Sequence, residues 1–244
     1  MLFTAVLHTE WLKIRTMRSL TAALAAVLAA TAGITLLVNA LTGADETGRT
    51  GDDPLFAAFF GLNFGQIAAI AFGTLAVSSE YAGGALRVSL AAVPDRTRFY
   101  AAKTAVIGSL TLLVGVVTGF ATFLGGQAFA GERALGLGDP GAVRACVGSG
   151  VYLALMALFA AGLATVLRSG TAVLALLIPF VLIVSFVVGD VASGAAEYLP
   201  DQAGRLVVRQ DAGGLDPWGG LAVTAGWAAA ALLAGWFALR RRDA

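Results

Sequence analysis

The sequence predicts an all-α integral membrane protein: six transmembrane helices, an N-terminal interfacial amphipathic helix, and a short cytoplasmic helix between the second and third spans. Three observations predict it. Hydrophobic residues make up 58% of the 244 and charged residues only 13%, about half the charge of an average soluble domain, which leaves a soluble fold too little interior to hide its apolar side chains. Charge-free runs long enough to cross a bilayer recur six times, and the basic residues sort to alternate sides of them.

At the start of the chain, Phe3, Leu7, Trp11 and Ile14 follow one another at helical spacing on one face, while His8, Thr9, Lys13, Arg15 and Thr16 fall elsewhere. Residues 1–18, which include Glu10, are therefore expected to lie in the membrane interface, with Trp11 at headgroup level and Lys13 and Arg15 toward anionic lipid. The charge-free runs are Ser19 to Ala44, Pro54 to Ser79, Thr104 to Gly131, Ala145 to Leu167, Ser169 to Gly189 and Pro217 to Leu239. Lipid offers backbone amides no partner, so a crossing needs about 20 apolar residues as helix. Only Arg168 separates the fourth run from the fifth, before Ser169 and Gly170 supply a turn signal.

Merging those two would leave five helices, and topology decides against it. Six spans with a cytoplasmic N-terminus place eleven Lys and Arg inside and five outside, whereas five spans put Arg240 to Arg242 outside. Asp45, Glu46, Asp52 and Asp53 gather in the first outer loop. The uncharged run of the first span exceeds the ~7 to 15 residues of a signal-peptide core, so Val38-Asn39-Ala40 is not read as a cleavage site. Residues 1–244 are expected to be one membrane domain with both termini in the cytoplasm.

Several function classes fall away. The net charge is +1, which points to no acidic partner, and no nucleic acid is expected. With Cys146 the only cysteine and His8 the only histidine, an internal disulfide and a Cys/His metal cluster are excluded. The spans hold no ionisable residue, only hydroxyls plus Asn39, Asn63, Gln66 and Gln127. A proton- or ion-coupled secondary transporter is thereby disfavoured. No nucleophile has a base to activate it, and no phosphate-binding loop occurs, so neither catalytic nor cofactor-binding residues are expected in this chain. The spacings Gly61-x-x-x-Gly65 and Gly115-x-x-x-Gly119 read first as ordinary close packing within one subunit. Pro179 should kink the fifth span. Residues Asp190 to Asp216, with Val191, Ala192, Tyr198, Leu199, Leu206, Val207 and Val208, are too apolar for a solvated linker and should dip back toward the bilayer.

The opening Thr9-Glu10-Trp11-Leu12-Lys13-Ile14-Arg15-Thr16-Met17-Arg18-Ser19 resembles the start of bacterial ABC-2 type transporter permeases. The loop after the second span, Glu80-Tyr81-Ala82-Gly83-Gly84-Ala85-Leu86-Arg87-Val88-Ser89-Leu90-Ala91-Ala92-Val93-Pro94-Asp95-Arg96, resembles theirs too, with Asp95 a departure from the usual basic or small residue. The likeness extends to the segment around Tyr198-Leu199-Pro200 and to the basic C-terminus. It implies a bacterial cell-membrane permease for export, pairing with a second permease copy or homologue and with an ABC ATPase dimer that binds ATP and Mg. It also implies a helical hairpin around residues 190–216 that caps the exit. Coupling to the ATPase would pass through Glu80, Tyr81, Gly84, Leu86, Arg87, Leu90, Val93, Pro94 and Arg96. Within that stretch Leu86, Leu90 and Val93 form an apolar ridge suited to a partner's groove, with Arg87 beside it and Pro94 at its end. The alternatives are a non-transport membrane scaffold or sensor and, third, a secondary transporter.

Overall fold

Every regular element is helical among residues 3–46, 53–129, 134–184, 187, 194, 196–210 and 214–241, which are those that the computed structural model describes. Helix α1 (Phe3–Thr16) stops where Met17 turns extended, φ −86° and ψ 110°, and α2 (Arg18–Leu28) starts afresh. A wider π-type turn, Ala29–Gly33, carries the first span on into α3 (Ile34–Glu46). After α4 (Pro54–Ala58), capped by the Asp53 carboxylate, come α5 (Leu62–Tyr81), the short α6 (Ala85–Ala92) and the 32-residue α7 (Arg96–Gln127). Helices α8 (Ala142–Leu167), α9 (Gly170–Pro179), α10 (Pro200–Arg205) and α11 (Pro217–Arg241) complete the order.

Five helical stretches are long and apolar enough to cross a membrane: Arg18–Leu41, Leu62–Ala92, Arg96–Gln127, Ala142–Leu167 and Pro217–Arg241. A further apolar stretch, Gly170–Ile183, is shorter, and most of the remainder of the expected fifth run, up to Gly189, lies outside the described residues. The fourth and fifth runs are nonetheless separate helices. Arg168 takes a left-handed conformation (φ 53°) that ends α8, and Ser169 Oγ then accepts from the Ala172 amide at 3.3 Å to cap α9. Beyond Pro179, which has no N–H to donate, the helix widens into a π-type turn at Phe180–Val184.

Helix α8 is central, packed against α5, α7 and α11 and burying Tyr152, Leu153, Met156, Ala157 and Ala160. The two glycine pairs serve this packing within the chain. A Cβ on Gly61 would stand 2.0 Å from the Thr31 carbonyl oxygen, and one on Gly115 2.8 Å from Gly150 Cα. Without side chains there, backbones touch and dispersion contacts multiply, which is the attraction available inside lipid.

Both ends of the described chain sit at one end of the bundle. Arg96, in the first turn of α7, donates to the Leu239 carbonyl at 2.8 Å, and Trp236 Nε1 donates to Thr97 Oγ1 at 3.1 Å. Helix α1 packs on α7. The opposite end carries residues 196–208, where α10 is flanked by helical turns Ala196–Tyr198 and Leu206–Val208. Of the apolar residues that led to the expected dip toward the bilayer, Val207 and Val208 are buried against the bundle, Leu199 and Leu206 are half-buried, and Tyr198 is 56% exposed. Val191 and Ala192 lie outside the described residues.

Candidate functional site

The polar side chains gather where α1, α5, α6 and α7 meet. After α5 ends at Tyr81 and Ala82 turns extended, Gly83 (φ 62°) and Gly84 (φ 78°) follow, and two consecutive left-handed residues turn the chain sharply enough to start α6 on a new axis. Neither glycine has an atom near its would-be Cβ, so backbone conformation, not crowding, demands them. At the far end Pro94 separates α6 from α7. Asp95 then caps α7, its Oδ1 accepting from the Thr97 and Arg98 amides at 3.0 and 3.2 Å, and its Oδ2 pairs with Arg98 at 3.0 Å. That cap is a local reason for an acidic residue at the position where the resemblance led us to expect otherwise.

The apolar ridge of α6 faces its own chain. Leu86 is buried against Phe99, Tyr100 and Leu239, and Leu90, Val93 and Tyr81 pack onto the same cluster. It is thus not the surface available to a partner, contrary to the expectation from spacing alone, which identifies a ridge but not what covers it. The opposite face carries Arg87, Val88 and Ala91, with Val88 73% exposed. Tyr81 donates to the Thr165 carbonyl at 3.5 Å. Arg96 caps the carbonyl end of α11, where a cation also meets the negative end of the helix dipole.

Behind α6 lies a ring of four charges. Lys103 of α7 reaches Glu10 Oε2 at 2.7 Å and Glu80 Oε1 at 2.9 Å; Lys13 of α1 reaches Glu10 Oε1 at 2.8 Å and Glu80 Oε1 at 2.9 Å. Each carboxylate therefore meets two ammonium groups, and the ring is neutral. Glu10, Glu80 and Lys103 are 3%, 5% and 6% exposed. Charges so enclosed persist only when paired and hydrogen-bonded. Ser89 joins α6 to the ring, accepting from Lys13 Nζ at 3.1 Å and donating to Glu80 Oε2 at 2.9 Å. The Phe99 ring lies 5.7 Å from Lys13 Nζ and 5.5 Å from Lys103 Nζ, close enough for cation–π attraction. Burial works against the charge on Lys13, but the hydrogen bonds and charges of Glu10 and Glu80 outweigh it and raise its pKa above the ordinary 10.5.

Of the site residues predicted from sequence, Glu10, Lys13 and Glu80 come together in the ring, whereas Trp11 and Arg15 do not. These two stack on each other at 5.4 Å on the exposed face of α1. The α1 face that packs inward is Val6, Glu10 and Ile14, so the expected ridge of Phe3, Leu7, Trp11 and Ile14 is split between interior and surface. Lys103 and Ser89 escaped the sequence reading. A signal was present: Lys103 immediately precedes a charge-free run, and Glu10 shares a helix face with Val6 and Ile14. Among the described residues no group of metal-ligating side chains is placed to hold an ion.

A protein-family model described as "ABC-2 family transporter protein" matches residues 6–187, a range that takes in α1, the charge ring and α6. No curated protein matches the chain.

Proposed function

The chain belongs to the ABC-2 family of transporter proteins, and on that premise we propose that it is the membrane-spanning permease subunit of an ATP-driven exporter. ATP and Mg would be bound by a separate ATPase dimer, and a second permease copy or homologue would complete the pathway. The observation that carries this reading is α6, an eight-residue helix turned off a long apolar helix by two left-handed glycines and anchored through one face. A loop that only fixed topology would need basic charge and nothing more. Here the anchored face leaves Arg87, Val88 and Ala91 to seat in a groove on the ATPase, while Gly84 and Pro94 bound the helix. Leu86, Leu90 and Val93 set its position, and Glu80 with Lys13 and Lys103 ties that position to α1 and α7.

Six crossings with both termini in the cytoplasm are part of this proposal. Helix α8 ends beside α6, and residues 196–208 lie at the opposite end, where Val207 meets Gly148. On this reading the stretch with Gly170–Ile183 in it would supply the sixth crossing. An even number of passes then returns both ends to the side richer in Lys and Arg, with α1 in the headgroup layer of that leaflet.

The test is purification of the tagged chain from its native membrane, with ATPase activity measured on the preparation. Val88→Asp should leave the yield of the chain intact and abolish recovery of the ATPase. Recovery unchanged by Val88→Asp would overturn α6 as the contact. A chain with no ATPase and proton-driven uptake would return the reading to a secondary transporter.

A further inference from the structure

Helix α9 is held to the bundle along one narrow stripe, with only Val173 and Leu177 of its ten residues buried. It meets α5 closely at its first residue, where a Cβ on Gly170 would stand 2.7 Å from Ser78 Oγ. Past that contact a groove of about 630 Å³ lies between the two helices. Leu75 of α5 and Leu174, Ala175, Ile178 and Pro179 of α9 line its body. The side-chain polar atoms among its lining residues are the hydroxyls of Ser78 and Thr171, which belong to the end nearest α6.

Arg168 stands beside that polar end. Its guanidinium lies 5.6 Å from the centroid of the Tyr81 ring, and Tyr81 is one turn of α5 from Ser78. Among the described residues Arg168 is the one non-glycine with a positive φ, a conformation that glycine or asparagine adopts at less cost. A basic residue that only marked topology could stand at the exposed Leu167, in ordinary helix one position earlier. A strained residue with a specific side chain points instead to a use for the guanidinium where it is.

Polar at one end with a cation beside it and apolar along the rest, the groove has the polarity of a phospholipid. It lies between apolar helices, so it opens to acyl chains, and its body offers water no partners. Its width decides against a helix from a second copy. Over roughly 14 Å from Gly170 to Pro179, the cross-section is about 45 Å². A helix is about 10–12 Å across with its side chains, so it would rest on the rim and leave a void beneath, whereas a flexible chain fills the space.

We propose that this groove binds an anionic phospholipid from the leaflet on the α6 side, with an acyl chain along Leu174, Ala175 and Ile178 and the phosphate on Arg168. The site is separate from α6 and from the charge ring, and it stands whether or not an ATPase is the partner.

Native mass spectrometry of the full chain, released from detergent after titration with dioleoyl phosphatidylglycerol, counts the bound lipid. The parent should hold one phosphatidylglycerol well above the background of weaker adducts and should hold dioleoyl phosphatidylcholine about tenfold less well. Glycerol phosphate, which has the phosphate without the chains, should not displace the lipid. Arg168→Asn keeps a residue suited to the left-handed backbone but removes the cation, and should weaken the site about tenfold, whereas Arg168→Lys should stay within about threefold of the parent. Ala175→Trp fills the groove and should abolish the site. Ala172→Trp puts the same ring on an exposed position of α9 outside the groove and should leave the site intact. Phosphatidylglycerol held equally by the parent, Arg168→Asn and Ala175→Trp would overturn the proposal. So would loss in Arg168→Asn without loss in Ala175→Trp, since the chain would then lie elsewhere. An effect of Ala175→Trp confined to a dimer peak would overturn it too, because a second copy would then be what covers the groove.

Discussion

At the α6 end four formal charges from three helices close into a ring with three members no more than 6% exposed, while at the opposite end neutral amides, a phenol and one guanidinium tie α5 to α8 and to residues 196–208. Both are polar clusters within an apolar bundle, yet they differ in what breaking them costs. Every charge of the ring needs its neighbours, because separating any one of them strands another in a poorly solvated place. The neutral groups at the opposite end need only a hydrogen-bond partner and carry no formal charge to strand. The ring therefore ties α1, α5 and α7 through charge, whereas α5 and α8 are held by a shared apolar core with neutral hydrogen bonds added to it.

Single substitutions should separate these behaviours. Lys103→Met leaves both carboxylates short of a cation and should cost about 3–5 kcal/mol, read as a lower midpoint of thermal unfolding in detergent. Adding Glu10→Leu should recover most of that loss, because the surviving Lys13–Glu80 pair is neutral; no recovery would mean that the ring does not act as a unit. Leu86→Ala removes an anchor of α6 and should cost roughly 2–4 kcal/mol, whereas Val88→Ala on the other face should stay within about 0.5 kcal/mol. Equal losses would contradict the inward direction of the ridge. At the opposite end, Tyr152→Phe deletes the donor to the buried Gln66 Oε1 and should cost about 1–3 kcal/mol.

The smallest effect concerns pH. Because the pKa of Lys13 is raised above 10.5, its contribution is complete below that value and is lost as pH climbs through the raised one. Unfolding midpoints should be flat in Lys13 across the neutral range and should fall at strongly alkaline pH by less in Lys13→Met than in the parent.

Much of the architecture was legible in the sequence because lipid imposes it: an apolar run is helical, and five of the six runs fall on described helices long and apolar enough to cross, while the run from Ser169 falls on the shorter Gly170–Ile183. The break at Arg168, Ser169 and Gly170 was legible for the same reason, a charge and a turn signal being the only relief in a long apolar stretch. Residues Glu80 to Arg96 announced a helix through Leu86, Leu90 and Val93, but periodicity reports that a face is apolar and not what lies against it. Phe99, Tyr100 and Leu239 cover that face, and Leu239 lies at the other end of the chain. The ring was hidden likewise. Glu10 and Lys103 meet because α1 folds back on α7, a register no local pattern encodes, and the usual habit of treating charges beside a span as topology markers gave Lys103 no further role.

The ring also bears on how the chain is made. Glu10 and Lys13 stand one turn apart on α1 and pair at 2.8 Å, so as α1 leaves the ribosome its charges already neutralise each other. Glu80 arrives with α5 and waits only for Lys103 on the next long helix. The ring thus assembles from two self-neutral halves, and the one charge that waits for its partner during synthesis is Glu80, for the 23 residues until Lys103 follows.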